Sequence, residues 1–397
     1  MPTEPSATPV RAIVLLAFAS FASQAMVRVA DPLLPQIALD TGASVGTASV
    51  VTSAYALSHG LTQLVGTPLG DRFPKFVLVA ILCLACAAAT AACGLSQNLT
   101  QLGIARLACG ITAGSIIPLA MAFVGDTVPY ERRQPVLGRF IAGTILGLVS
   151  GQVIGGVIGD YFGWRSVFFV LAGLFVVAAI ALGAEIARNP LTRTWPRAPQ
   201  SSRSLIADYR SVLERPFARF LCLAVFLEAG IMFLAFAYIG ADLHDRQGLS
   251  FSALGFVLAA FGAGGLAYVL MVQWLVDRLG QAGMVGVGGA LLGLSFFALA
   301  MLPIWWVSLT AVAAIGYAFH MIHNTLQVNA TQVAPDARST AIGLFSSALY
   351  IGQAVGVVVA APLVDRYGAV PPFLLAAIAW PLLAWLIIAR LKRRPAA

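Results

Sequence analysis

Residues 67–76 read TPLGDRFPKF, and residues 275–283 read LVDRLGQAG. Each is a short charged turn between long runs of Ala, Leu, Val and Gly. Asp71 and Arg72 of the first recur as Asp277 and Arg278 of the second, 277 − 71 = 206 residues later. A second landmark keeps nearly the same step: Gly151-Gln152-x-x-Gly155 recurs as Gly352-Gln353-x-x-Gly356, 352 − 151 = 201 residues on. Two independent landmarks at nearly equal offsets mark an internal duplication. The chain is one unit used twice.

The composition says where that unit lives. Charged residues make up 10% of the 397 residues and hydrophobic ones 59%, whereas a soluble domain carries about 25% charge. So few charges cannot coat a water-facing surface, and the class is a membrane protein. A bilayer crossing needs about 20 mostly apolar residues. Twelve segments qualify: 12–33, 47–69, 76–95, 101–124, 138–160, 164–186, 217–240, 250–276, 283–302, 305–328, 339–363 and 370–390. The first, which follows Arg11, has the look of a signal peptide. The spans that follow argue that it is retained.

Of the 24 basic residues, 22 are Arg, and the formal net charge is +8. They do not form a nucleic-acid stripe. Arg11, Arg72, Lys75, Arg132, Arg133, Arg139, the arginines from 188 to 219, Arg278, Arg338 and the tail RLKRR fall in one set of loops. The other set holds Arg165, Arg246 and Arg366. This is the positive-inside bias, and it predicts both termini on the cytoplasmic side of a bacterial-type inner membrane. The expected organisation is a six-helix unit over 1–186, a basic cytoplasmic linker over 187–216 and a second six-helix unit over 217–397. Within the linker, LIADYRSVLER (205–215) reads as a short amphipathic helix on the anionic inner leaflet. The five cysteines (83, 86, 93, 109 and 222) lie inside apolar segments and read as small core residues. Cys83 and Cys86 have no second ligand pair nearby, so no metal is expected.

At this point the sequence resembles the major facilitator superfamily over its whole length. The family's loop signature after span 2, G-x-L-a-D-R-x-G-R-K, is matched at Leu69, Asp71, Arg72 and Lys75, while Thr67, Pro74 and Phe76 depart from it. LGIARLACG (102–110) resembles the span-4 pattern, with Arg106 and Gly110 matching and Cys109 where Gln is usual. GLVSGQVIGG (147–156) resembles the span-5 signature of proton-driven exporters, with Gln152 in place of Pro. Among branches, the text is most similar to the twelve-span drug and sugar efflux proteins. The resemblance implies an all-α membrane fold of two pseudo-symmetric six-helix bundles. It also implies a cytoplasmic latch built from Asp71, Arg72 and Lys75 with Asp126, repeated at Asp277 and Arg278. Asp71 would face the start of span 11 and Arg72 would reach Asp126. Helix-end charge contacts are worth roughly 0.3–2 kcal/mol, enough to hold yet break in each cycle. A bare topology signal is the plainer reading of the same turn.

Polar residues inside apolar spans supply the candidate site, because a charge at mid-bilayer costs at least ~2.5 kcal/mol and needs a cavity or a partner. Ser20, Gln24, Arg28 and Asp31 lie on one stripe of span 1, with Arg28 and Asp31 close enough in register to pair. Glu228 is the deepest acid, about 12 residues into span 7. It is a candidate proton carrier together with Asp31 and Arg106, the last on its family position. Burial disfavours charge, so Glu228 either exchanges a proton or pairs across the cavity with Arg28. His59 shares a face with Tyr55, Thr62, Gln63 and Gly66 on span 2. His320, His323, Asn324 and Gln327 form a stripe on span 10, and Gln152 and Gln353 are repeat-equivalent amides. All of these are expected to line a cavity. Gly143, Gly147, Gly151, Gly155 and Gly159, every fourth residue of span 5, predict a bare strip where another helix backbone comes close.

The function expected is therefore secondary transport by alternating access, without a cofactor and by a monomer. No phosphate-binding G-x-x-x-x-G-K-[ST] is present, and the lysines Lys75 and Lys392 lack that context. One charge crossing 100 mV is worth roughly 2.3 kcal/mol, which sustains a gradient between ten- and a hundredfold. The motif set favours proton-driven export of a small amphipathic organic compound, with proton symport of a metabolite as the alternative. A sensor lacks an output domain, and no nucleophile and base pair suits an intramembrane enzyme.

Overall fold

The computed structural model describes residues 9–70, 73–194 and 205–392, and every regular element there is helical. The first part of the chain holds α1 (Val10–Arg28), α2 (Leu34–Thr41), α3 (Val45–Ala48), α4 (Val50–Gly70), α5 (Lys75–Leu95), α6 (Leu99–Ala113), α7 (Ile116–Thr127), α8 (Tyr130–Phe162) and α9 (Trp164–Arg188). After α10 (Leu205–Leu213) come α11 (Pro216–Phe236), α12 (Ile239–Gln247), α13 (Phe251–Met301), α14 (Trp305–Gln332), α15 (Arg338–Tyr367) and α16 (Val370–Lys392). Among the described residues, ten helical segments are long and apolar enough to cross a membrane. Large apolar side chains such as Leu270 (80% exposed) and Ile180 (67% exposed) cover the outside, as lipid contact requires.

Several expected spans are more articulated than their hydropathy. The first stops at Arg28, turns through a 3-10 segment (Asp31–Leu33) and resumes as α2. Pro32 and Pro35 lie in that stretch, and a proline lacks the amide that would continue a helix ladder. Span 4 divides into α6 and α7 at Gly114, and span 7 divides into α11 and α12 at Ala237. The opposite happens at 251–301, where two expected spans appear as one 51-residue run. At ~1.5 Å per residue such a run exceeds twice the ~30 Å hydrocarbon thickness. Its ladder is broken at Gly280, whose φ of 60° and ψ of 178° no side chain accommodates readily.

The glycine strip of α8 packs on α1. Built Cβ atoms on Gly147, Gly151, Gly155 and Gly159 would run into Phe21, Ala25, Val29 and Leu33, the same every-fourth-residue row of α1 and the turn after it. The contact recurs between α15 and α11, where Gly352 abuts Phe226 and Gly356 abuts Gly230. Both sides of the seam have moved by one step, since 352 − 151 = 201 and 226 − 25 = 201. In each seam backbone lies on backbone, which packs tightly without any hydrophobic drive from lipid. Elsewhere α4 packs on α6, α5 on α9, and α13 on α14 and α16. Two further seams join early and late parts of the chain: α4 on α15, and α8 on α13. In the second of these Gly156 faces Gly255, whose Cα is 2.9 Å from a Cβ built on Gly156.

α10 (Leu205–Leu213) packs on the helices beside it. The Tyr209 hydroxyl donates to the Leu64 carbonyl of α4, and Val212 is buried against Ala218, Ala334, Ala337 and Ala341. Ile206 remains exposed on the other side. This end of the molecule, which also carries Lys75 and Lys392, is the linker end; Asp40, Asp160, Arg246 and Asp365 mark the opposite end.

Candidate functional site

Arg28 ends α1, and the break that follows lets its side chain turn inward. The guanidinium is buried and lies 3.8 Å from the Phe233 ring centroid, with Phe236 at 5.7 Å, both on α11. It donates to Asp31 Oδ2 at 3.5 Å and to Gln353 Oε1 of α15 at 3.5 Å. The expected Arg28–Asp31 pair is therefore present, but both polar contacts sit at the long limit of a hydrogen bond. The Phe233 ring face is a third partner of this cation.

Arg106, fully buried on α6, is held differently. Its Nε donates to the Val51 carbonyl at 2.9 Å, and its two terminal nitrogens reach the Met26 carbonyl at 3.4 and 3.5 Å. Its guanidinium lies 4.4 Å from the Tyr55 ring centroid. One side chain thus ties α6 to α1 and α4 through three nitrogens of a rigid fork, a geometry that lysine cannot copy.

Tyr55 and His59 lie one turn apart on α4, ring centroids 5.4 Å apart, and His59 meets Tyr350 of α15 at 4.2 Å. Gln63, one turn further, bonds the His59 ring at 3.3 Å and the Gly114 carbonyl at 2.9 Å. Glu228 of α11 is fully buried, and its Oε2 meets His323 Nδ1 of α14 at 3.0 Å. The ring of His323 stacks on Phe319, centroids 5.4 Å apart with an 8° interplanar angle. Glu228 does not pair with Arg28, so that expectation is corrected. Arg28 is taken by Asp31, Gln353 and Phe233, and the partner of Glu228 comes from the same half of the sequence.

Among the described residues, the buried polar atoms without a hydrogen-bond partner include Tyr55 Oη, His59 Nδ1, Asp31 Oδ1, Glu228 Oε1, Gln353 Nε2 and both amide atoms of Gln152. An orphaned buried group costs ~1–3 kcal/mol, so these atoms, on the turn after α1 and on α4, α8, α11 and α15, are kept polar at the expense of stability. Such atoms include both donors and acceptors.

The expected cavity residues do not all behave alike. Gln24 and Asn324 are half-buried on α1 and α14. His320 turns away from its neighbour His323: it bonds the Gly316 carbonyl at 2.7 Å and packs on Tyr268 and Phe261 of α13. Tyr350, Phe233 and Phe236 were not expected. Tyr350 stands three residues before Gln353 on α15, a spacing that shares a helix face and was readable. The phenylalanines carry no such signal in a chain with 23 of them.

Of the latch residues, Asp71 and Arg72 lie outside the described residues. Asp126 is engaged by Lys75, whose Nζ is 2.6 Å from its Oδ2. Asp277 accepts from Gln273 at 3.1 Å, and Arg278 lies over Trp274 at 5.9 Å, both within α13.

Known proteins resemble this chain over most of its length. The family model described as Major Facilitator Superfamily matches residues 16–357. An uncharacterized MFS-type transporter, YceJ of Bacillus subtilis (strain 168), is 26% identical over 354 residues, covering 86% of this chain and 87% of that protein. A chloramphenicol resistance protein of Streptomyces lividans is 28% identical over 334 residues, covering 83% of each. Among solved structures, that of the nucleoside transporter NupG superposes with a TM-score of 0.77 at 14% identity, covering 95% of this chain and 99% of that one. Its identity is low enough that it speaks for the fold alone. A multi-pass helical bundle with a buried polar centre, matched by one family over most of its length, is a membrane transporter and not an enzyme: the chain belongs to the Major Facilitator Superfamily.

Proposed function

We propose that this protein exports a small amphipathic organic compound in exchange for protons, working as a monomer in a bacterial inner membrane with both termini in the cytoplasm. Counting α4 and both arms of α13 separately brings the ten apolar segments to twelve spans. Residues 1–186 and 217–397 then form two six-helix halves joined by residues 187–216. The halves rock about the polar centre, exposing it to each side in turn. The recurrence of the α1–α8 seam as α11–α15, with a constant step of 201 on both sides, supports that division.

The observation that carries the coupling is the Glu228–His323 contact at 3.0 Å. Two titratable groups in hydrogen-bond contact bind protons as a unit. With Arg28 balanced by Asp31, the dyad sets the charge of its half of the site. Substrate and proton can then compete for it from opposite α-helical walls. Arg106 positions α1 and α4 around the site, and Gln24, Tyr55, His59, Gln152, His320, Asn324 and Gln353 face or support the substrate. At the linker end Asp71, Arg72, Lys75, Asp126, Asp277 and Arg278 latch the halves. The name of the Streptomyces relative favours export. Gln152, where proton-driven exporters carry Pro, favours the second reading, uptake by symport.

The test is transport in proteoliposomes loaded with a pH-sensitive dye, run across a compound panel that includes chloramphenicol. Substrate addition should move protons in the wild type, and Glu228→Gln should abolish that movement while leaving substrate exchange. A variant that still moves protons with substrate removes Glu228 as carrier. Inside-out against right-side-out vesicles separates export from uptake.

A further inference from the structure

At the end opposite the linker, two carboxylates reach across from the tail of one helix to the start of another. Asp365, near the end of α15, accepts the Gly46 backbone N–H at 2.7 Å and the Ser44 hydroxyl at 2.7 Å. Asp160, near the end of α8, accepts the Ser252 backbone N–H at 3.2 Å and the Ser252 hydroxyl at 2.6 Å. The two sites are copies of each other, since 365 − 160 = 205 and 252 − 46 = 206. They are also reciprocal: the late part of the chain supplies the acid once and the early part supplies it once. Each acid is followed three residues on by a glycine with positive φ, Gly163 at 78° and Gly368 at 74°, which stops the helix and leaves the carboxylate at its end. Gly46 has no side chain to spare, because a Cβ there would sit 2.6 Å from the Asp365 carboxyl carbon.

We propose that Asp160 and Asp365 form a paired clasp that holds this end shut and must let go for it to open. The inference rests on the reading of the chain as two rocking halves. Two features suit a clasp better than a permanent brace. The bonds are charge-assisted, so they hold in the closed arrangement. Yet Asp160, Ser44 and Asp365 are exposed and Ser252 is half-buried, so water replaces each bond at small net cost on opening. A buried carboxylate would be stranded by the same movement. Tyr238 completes the join deeper in, where its hydroxyl donates to the Val357 carbonyl at 2.7 Å and lies 3.0 Å from Ser49 Oγ. Asp160 and Asp365 are positioning residues: they touch no substrate and set the balance between open and closed.

The experiment places nitroxide labels on Leu39→Cys and Tyr367→Cys, exposed positions on α2 and α15, in the full-length protein in lipid nanodiscs. The native cysteines are buried or half-buried and take little of a water-soluble label. Pulsed dipolar spectroscopy reads the distance distribution. Neutralising one acid, Asp365→Asn or Asp160→Asn, should raise the open-to-closed ratio about fivefold, the scale of one helix-end charge contact. The double variant should raise it by about the product, about 25-fold, because the two sites share no partner. In transport the variants should change KM on the outer side without a matching fall in thermal stability. A double variant that transports and keeps the wild-type distribution overturns the clasp. So does a lowered melting temperature with an unchanged distribution, which would make both acids braces of the fold. A wild type showing one distance under every substrate condition overturns the rocking reading itself, and the clasp with it.

Discussion

Five glycines line α8, but the structure predicts that they are unequal. A Cβ built on Gly151 lies 2.7 Å from the Cα of Ala25, and one on Gly147 lies 2.9 Å from the Cα of Phe21. Carbon atoms settle near 3.5 Å or more, so α1 would have to retreat by roughly 0.8 Å at residue 25. Backbone cannot rotate aside as a side chain can, and overpacking of this kind costs ~1–3 kcal/mol. The gain from replacing a helical glycine by alanine offsets ~0.5–1 kcal/mol of that. Gly151→Ala should therefore lose roughly 0.5–2 kcal/mol net. Gly143→Ala meets only Ala17, its Cβ at 3.8 Å and its carbonyl oxygen at 3.9 Å, both ordinary contacts, and should be neutral or slightly stabilising. The assay is thermal unfolding of each variant in the same nanodiscs, followed by tryptophan fluorescence. Gly352→Ala, which meets the Phe226 Cα at 2.9 Å, should track Gly151→Ala. Because Ala25 is one turn from Arg28, the same retreat strains the 3.5 Å contact to Gln353 and should raise KM severalfold. Equal stability of Gly151→Ala and Gly143→Ala would refute the close-seam reasoning.

Gln152→Leu should move stability and function in opposite directions. Removing two orphaned buried amide atoms stabilises the bundle by about 1 kcal/mol, while substrate KM rises; a variant with both unchanged would show that the amide faces no ligand. A double-mutant cycle on Lys75 and Asp126 should give a coupling below ~1 kcal/mol that fades with salt, because the Asp126 side chain is 58% exposed. A larger, salt-resistant coupling would mean that the contact is shielded in the membrane. Asp71→Asn should slow turnover and leave substrate affinity in place, as a latch requires, and an unchanged rate would remove Asp71 from that role.

What could be read in advance followed from periodicity and from depth. The glycine strip was visible because its step of four residues matches a helix face, but its partner was not, since nothing in α8 names α1. Glu228 could be placed at mid-membrane by counting along one span. His323 is 95 residues away, and the pair appears only once α11 and α14 are side by side. The kink after Arg28 was written in Pro32 and Pro35, yet hydropathy alone ran a single span through it. Asp160 and Asp365 were the hardest to read. A lone acid at the end of an apolar run looks like any solvated helix end until the helix start it receives is known. Tyr350 lay within reach of a simple face rule, whereas Phe233 and Phe236 were hidden among many similar residues.

The α1–α8 seam also has a bearing on how the molecule is made. Everything it joins lies within the first 162 residues, so this pair of helices can zip together while most of the chain is still on the ribosome. The contacts of α4 with α15 and of α8 with α13 must wait for much later residues. A nascent chain halted before α13 would leave Gly156 without Gly255, the backbone that later covers it.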